Sequence, residues 1–194
     1  MKFLKESANN LYRAYHGSRQ QFDKFEHIYI GSHGLEHGYG FYFTDNMDVA
    51  ESYGDYILQA DLSIKRPFCD DHITVTKDQV KHYIEKYVDT NGDGFIANWS
   101  YDVKKLGYRR ALDLAVKDLF LYSNNDIDIL SELLPEVQNK FSDDAYDAIY
   151  KIFDKDGFIY DGYSEVDGEK ITNYIVYSNN QILNKKWVNI HKED

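Results

Sequence analysis

The chain has 194 residues, 43% apolar and 16% aromatic, enough to bury a full core in one domain and too apolar for a disordered segment. Its 33 acidic side chains against 22 basic ones give a net charge of −11, which argues against non-specific attachment to nucleic acid or to an anionic membrane. The single Cys69 rules out an internal disulfide framework and a zinc site built from several thiolates, and it fits a reducing compartment.

The start, Met1-Lys2-Phe3-Leu4-Lys5-Glu6, lacks an apolar run of leader length, and no later stretch approaches a membrane span. A cytoplasmic protein with no membrane partner is expected, although export by a system that reads other signals stays open. Leu11-Tyr12-Arg13-Ala14-Tyr15 reads as a short aromatic strand running into a His16-Gly17 turn. Four glycines between Gly31 and Gly40 mark a loop that bends tightly or admits a ligand to bare backbone. Phe41-Tyr42-Phe43 reads as a strand, Asn46 to Ser52 as a short helix capped near Asp45, and Tyr56 to Ile64 alternates like a half-buried strand.

The pattern then changes. Thr76 is placed to cap a helix through Val88, and Leu106 to Phe120 carry a helical stripe. Ile127 to Leu134 begins a helix that Pro135 interrupts or kinks, and Asp143 to Phe153 forms a fourth. Strands return at Phe158-Ile159-Tyr160, Asn173 to Tyr177 and Trp187 to Ile190. The expectation is one α+β domain over residues 1–194 with a helical insertion over about 76–153.

Two segments carry the chemistry. Tyr15-His16-Gly17-Ser18 offers an imidazole beside an unencumbered peptide, and Gly38-Tyr39-Gly40-Phe41-Tyr42-Phe43-Thr44-Asp45 offers an aromatic plate. Read as strand ends flanking a slot, they suit a flat aromatic ligand bearing a carboxamide. Ala50 and Tyr53 follow after the short helix, so that two tyrosines are available to sandwich a ring.

This order, completed by the late Tyr174-Ile175-Val176-Tyr177, resembles the ADP-ribosyltransferases, closest to the His-Tyr-Glu branch that includes the poly(ADP-ribose) polymerases. The glycine-rich stretch at Ile30 to Gly34 and Tyr160-Asp161-Gly162 resemble the smaller bacterial and phage members found in polyvalent proteins of mobile elements. The resemblance spans roughly 11–64 and 156–183. It implies a split antiparallel β-sheet core, NAD as substrate, no metal, and transfer of ADP-ribose to an acceptor, expected to be a protein, in a bacterial or phage-infected cell.

By position it implies that His16 bonds a ribose hydroxyl of NAD and that the Gly17 backbone holds the carboxamide. Gly40 opens the strand on which Tyr42 stacks against nicotinamide, with Tyr53 on the other side. Ser18 lies near the adenosine half. Ala50 stands where many relatives have a carboxamide-binding Ser, and Asn173 where the catalytic Glu is expected. An amide brings no negative charge to an oxocarbenium-like transition state, and one such contact is worth on the order of 10²–10³ in rate. Poly-ADP-ribose elongation is therefore not expected. Glu165, Asp167 or Glu169 on the preceding loop is a candidate replacement, although solvated loop charges explain the three more simply. An acceptor carboxylate would serve as well. Besides mono-ADP-ribosylation, the residues allow an inactive NAD-binding or ADP-ribose-binding module, or an NAD glycohydrolase.

Two other patterns lead elsewhere. His33-Gly34-Leu35-Glu36-His37 has the order of a zinc-peptidase signature, which needs a helix that the surrounding glycines oppose. Asp89-Thr90-Asn91-Gly92-Asp93-Gly94 begins like a calcium loop, but its twelfth position is Ser100, so a tight turn is the expected reading.

Overall fold

The computed structural model describes residues 11–26, 40–88, 98–138 and 143–188; the His33–His37 and Asp89–Gly94 patterns and the end of the Trp187–Ile190 strand lie outside them. In it the aromatic run is one continuous strand, β1 (Leu11–Ser18). His16 and Gly17 lie inside that strand and not at a turn. The reason is pairing: every residue from Leu11 to Ser18 has an antiparallel partner on β3 (Tyr56–Ser63), ending with Ser18 opposite Tyr56.

Between these strands come β2 (Phe41–Thr44) and the short helix α1 (Met47–Glu51). The Asn46 side chain caps α1 by accepting from the Val49 N–H at 3.1 Å. The chain leaves through the two-residue β4 (Pro67–Phe68) and returns in β5 (Gly157–Tyr163), β6 (Lys170–Val176) and β7 (Ile182–Val188). The sheet order is β4-β5-β6-β2-β1-β3-β7. It is one sheet almost in two halves. β5 and β6 pair along their length, as do β1 and β3, whereas β1 and β2 meet in the single register pair Tyr15–Thr44. An α+β fold with a split, largely antiparallel sheet is what the sequence led us to expect.

One face of the sheet is a continuous apolar core, containing Ala14, Phe41, Phe43, Leu58, Ala60, Leu62, Tyr174 and Val176. Strand alternation puts the intervening residues, Tyr15, Gly17, Tyr42, Thr44 and Asn173, on the opposite face.

Two compact units are distinguished: residues 1–67 with 156–194, and residues 68–155. The second unit holds α2 (Lys77–Tyr87), α3 (Trp99–Leu106), α4 (Tyr108–Tyr122), α5 (Asp126–Gln138) and α6 (Asp143–Phe153). Thr76 forms a full capping box with Gln79. Five helices stand where four were expected: α3 covers a segment not marked as helical in the sequence, and Gly107, at φ 81°, separates it from α4. α5 also continues through Pro135 to Gln138 instead of ending there. No helix among the described residues is long and apolar enough to cross a membrane.

Asp126 anchors the second unit. It is 0% exposed, and its carboxylate accepts from the backbone N–H of Cys69, Thr74 and Val75 and from the Thr74 hydroxyl, with Lys155 Nζ 3.6 Å away. Burial pushes its pKa up, but these hydrogen bonds outweigh burial and hold it below the usual carboxylate value. The stability it contributes is therefore present above about pH 3.9 and lost as pH falls through the lowered native value. Asp126→Ala takes the acceptor from three backbone donors and the facing carboxylate from Lys155, and we expect a loss of roughly 3–5 kcal/mol in chemical denaturation at pH 7.

Candidate active site

Past the Tyr15–Thr44 pair, β1 and β2 no longer share a ladder, and a side chain takes over the connection. His16 Nδ1 lies 2.8 Å from the Tyr42 carbonyl oxygen. A carbonyl can only accept, so Nδ1 carries the proton, and in the neutral ring Nε2 keeps its lone pair. The imidazole stands on the core face, 4.9 Å from the Phe25 ring, 5.4 Å from Phe43 and 6.0 Å from Phe22. Burial pushes its pKa below the usual imidazole value, against the opposing pull of the Tyr42 hydrogen bond.

Phe25 is itself clamped. Its N–H donates to Asn179 Oδ1 at 3.0 Å and its C=O accepts from Asn179 Nδ2 at 2.9 Å. One amide on the turn between β6 and β7 thus fixes the ring that walls His16. Sequence reading missed this pair; nothing in an isolated Asn-Asn turn announces a partner 154 residues away.

On the other face Gly17 permits a close approach. A Cβ there would lie 1.8 Å from the Ala50 carbonyl oxygen and 3.1 Å from Tyr53 Cβ. A second contact of the same kind follows, because a Cβ on Gly54 would lie 2.2 Å from the Ser18 carbonyl. The two glycines let the end of α1 settle on β1 and seat Tyr53, 63% exposed, beside Gly17. Tyr42, half-buried, belongs to the β2 side of the split. The β1 side of the split therefore carries Tyr53 and the β2 side Tyr42, with the end of α1 packed closely against the Gly17 backbone. Gly40 serves the β2 side: a Cβ there would meet Ile175 Cγ2 at 2.6 Å and the Val176 carbonyl at 2.7 Å. The Ser18 hydroxyl is committed locally, donating to Gln20 O at 2.7 Å.

Asn173 lies on the Tyr42 face, opposite Thr44 on β2 and Tyr160 on β5. Gly162 makes room for it, since a Cβ there would lie 2.8 Å from Asn173 Nδ2. The acidic loop residues are not brought to it. Glu165, Asp167 and Glu169 lie beyond the last hairpin pair, Tyr163–Lys170, and are exposed. Lys170 is already three residues, about 10 Å, along the strand from Asn173. Asp167 serves its own turn by accepting from the Glu169 N–H at 2.9 Å, which holds its pKa down. Tyr174 points to the core face, where burial, helped by Asp45, pushes its phenol up to about 12. It stays protonated near neutrality.

The family model described as ADP-ribosyltransferase in polyvalent proteins matches residues 9–186. The chain therefore belongs to that family of ADP-ribosyltransferases. No curated protein and no solved structure matches it.

The His16 environment is open to direct measurement. The imidazole should titrate below about 6.5, the unperturbed value, in an NMR titration. Asn179→Ala, which releases Phe25, should return it toward that value. Because the native pKa is the lower one, this group's contribution to stability is intact above about pH 6.5 and falls as the pH drops below it. An unshifted wild-type imidazole would contradict this description of the ring.

Proposed function

We propose that this ADP-ribosyltransferase is a mono-ADP-ribosyltransferase of the His-Tyr-Glu type, with Asn173 in the third place. NAD is the donor. The glycosidic bond between nicotinamide and ribose breaks, nicotinamide leaves with the bonding electron pair, and an acceptor nucleophile bonds to the same ribose carbon while losing its proton. The observation that carries the reading is the single-pair junction of β1 and β2, with Tyr53 beside Gly17 on the β1 side and Tyr42 on the β2 side. Such a slot acts by holding the ring and its carboxamide in place. His16, with Nδ1 engaged by Tyr42 O on the core face, supports the slot from behind and is assigned no contact with the ribose.

Asn173 limits the chemistry. Its amide can hydrogen-bond the nicotinamide ribose but does not offset the positive charge developing on the sugar. A carboxylate brought by the acceptor would supply that charge. The same residue favours a second reading, in which the slot binds NAD or an ADP-ribosylated partner with little or no turnover. We also read residues 68–155 as an insertion into the transferase core. In support, Asp156 accepts from the Lys65 and Arg66 N–H groups at 2.7–3.2 Å, which brings the two junctions together.

Incubation with NAD should release nicotinamide slowly and leave ADP-ribose on an acceptor, detected by mass spectrometry. Asn173→Glu should accelerate release on the order of 10²-fold. NAD-dependent thermal stabilisation without release by either form would favour the binding module. No release and no stabilisation would refute the slot.

A further inference from the structure

The register of the sheet places one more polar group at this site. On the Gly17 face a single cross-strand row runs Gln59 (β3), Tyr15 (β1), Thr44 (β2), Asn173 (β6) and Tyr160 (β5). Tyr15 is the last residue of β1 to pair with β2, so it stands at the closed end of the split, two residues from Gly17 and on the same face. Thr44 separates it from Asn173. Strands spaced about 4.8 Å apart put the Tyr15 and Asn173 backbones roughly 10 Å from each other, a gap that a five-membered sugar ring spans with one hydrogen bond to each side.

Thr44 suits the floor of such a gap. It is small, and its hydroxyl is drawn toward the α1 cap by accepting from the Asn46 N–H at 3.3 Å. Tyr15 is only partly buried, and among the described residues none hydrogen-bonds its hydroxyl. The neighbouring charge is the Arg13 guanidinium, which sits 3.0 Å from Asp61 and interacts electrostatically with the phenol.

We propose that the Tyr15 hydroxyl is a substrate-binding group that hydrogen-bonds a hydroxyl of the nicotinamide-bearing ribose, from the side of Thr44 opposite Asn173. The proposal rests on the slot being the NAD site and adds a contact that an amide at position 173 makes more valuable. Tyr15 binds the sugar and not the ring, so it separates the two parts of the ligand.

Tyr15→Phe removes only the oxygen and keeps the ring in place. Calorimetric titration with NAD and, separately, with nicotinamide tests it. The variant should bind NAD roughly three- to tenfold more weakly, the size of one neutral hydrogen bond, with nicotinamide affinity and thermal stability unchanged. NAD affinity within about twofold of the unaltered protein, less than a hydrogen bond is worth, overturns the Tyr15 contact alone. An equal loss for NAD and nicotinamide also overturns it, by moving the effect to the ring. Failure of the unaltered protein to bind NAD overturns the slot reading, and the Tyr15 contact with it.

Discussion

The site depends on a sheet that stops pairing in its middle. β1 and β2 meet at Tyr15 and Thr44, and beyond that pair the connection passes to the imidazole of His16 on the Tyr42 carbonyl. A fully laddered junction would bring the two strands together along their length and leave no space for a ligand. An unsupported gap would leave backbone groups without partners in a buried region, at a cost of about 1–3 kcal/mol each. The histidine meets both demands by satisfying the carbonyl while the strands remain apart. Its environment follows from that task. Holding the carbonyl needs a proton on Nδ1, and the Phe22, Phe25 and Phe43 rings around it exclude the water that would favour the charged form.

The two faces of the sheet then divide the work. On the core side His16 and its aromatic wall hold the split in shape, with Phe25 fixed by Asn179. On the other side the absence of side chains at Gly17 and Gly54 lets the end of α1 pack on β1 and brings Tyr53 beside Gly17. In the proposed reading the slot binds a planar ring, and its catalytic reach is set by position 173. The acidic hairpin loop lies too far along β6 to replace a carboxylate there in this arrangement. Under the transferase reading, charge for the transition state has to come from the acceptor, which makes acceptor choice and rate a single problem.

Much of this was legible in the chain. The order His-Gly-Ser, Gly-x-Gly-Phe-Tyr-Phe, short helix, Tyr-Ile-Val-Tyr resembled the ADP-ribosyltransferases, and the split sheet was what that resemblance implied; the family match bears out the first and the β1–β2 junction the second. The Thr76 cap and the β3 alternation were read correctly for local reasons. Other features depended on long-range register. Whether His16-Gly17 was a turn or strand interior was decided by β3, some forty residues later. The Tyr15 row required knowing how four other strands align. The helix α3 was hidden because the helical stripe begins only at its last residue, Leu106. The Asn179 clamp joins residues whose separation in sequence hides the contact altogether.

A crystal structure of the protein with NAD tests the central claim most directly. The account predicts the nicotinamide ring between Tyr42 and Tyr53, its carboxamide on the Gly17 backbone, and the attached ribose over Thr44. A ring bound elsewhere, or a split between β1 and β2 that stays closed to the nucleotide at saturating concentration, would contradict it.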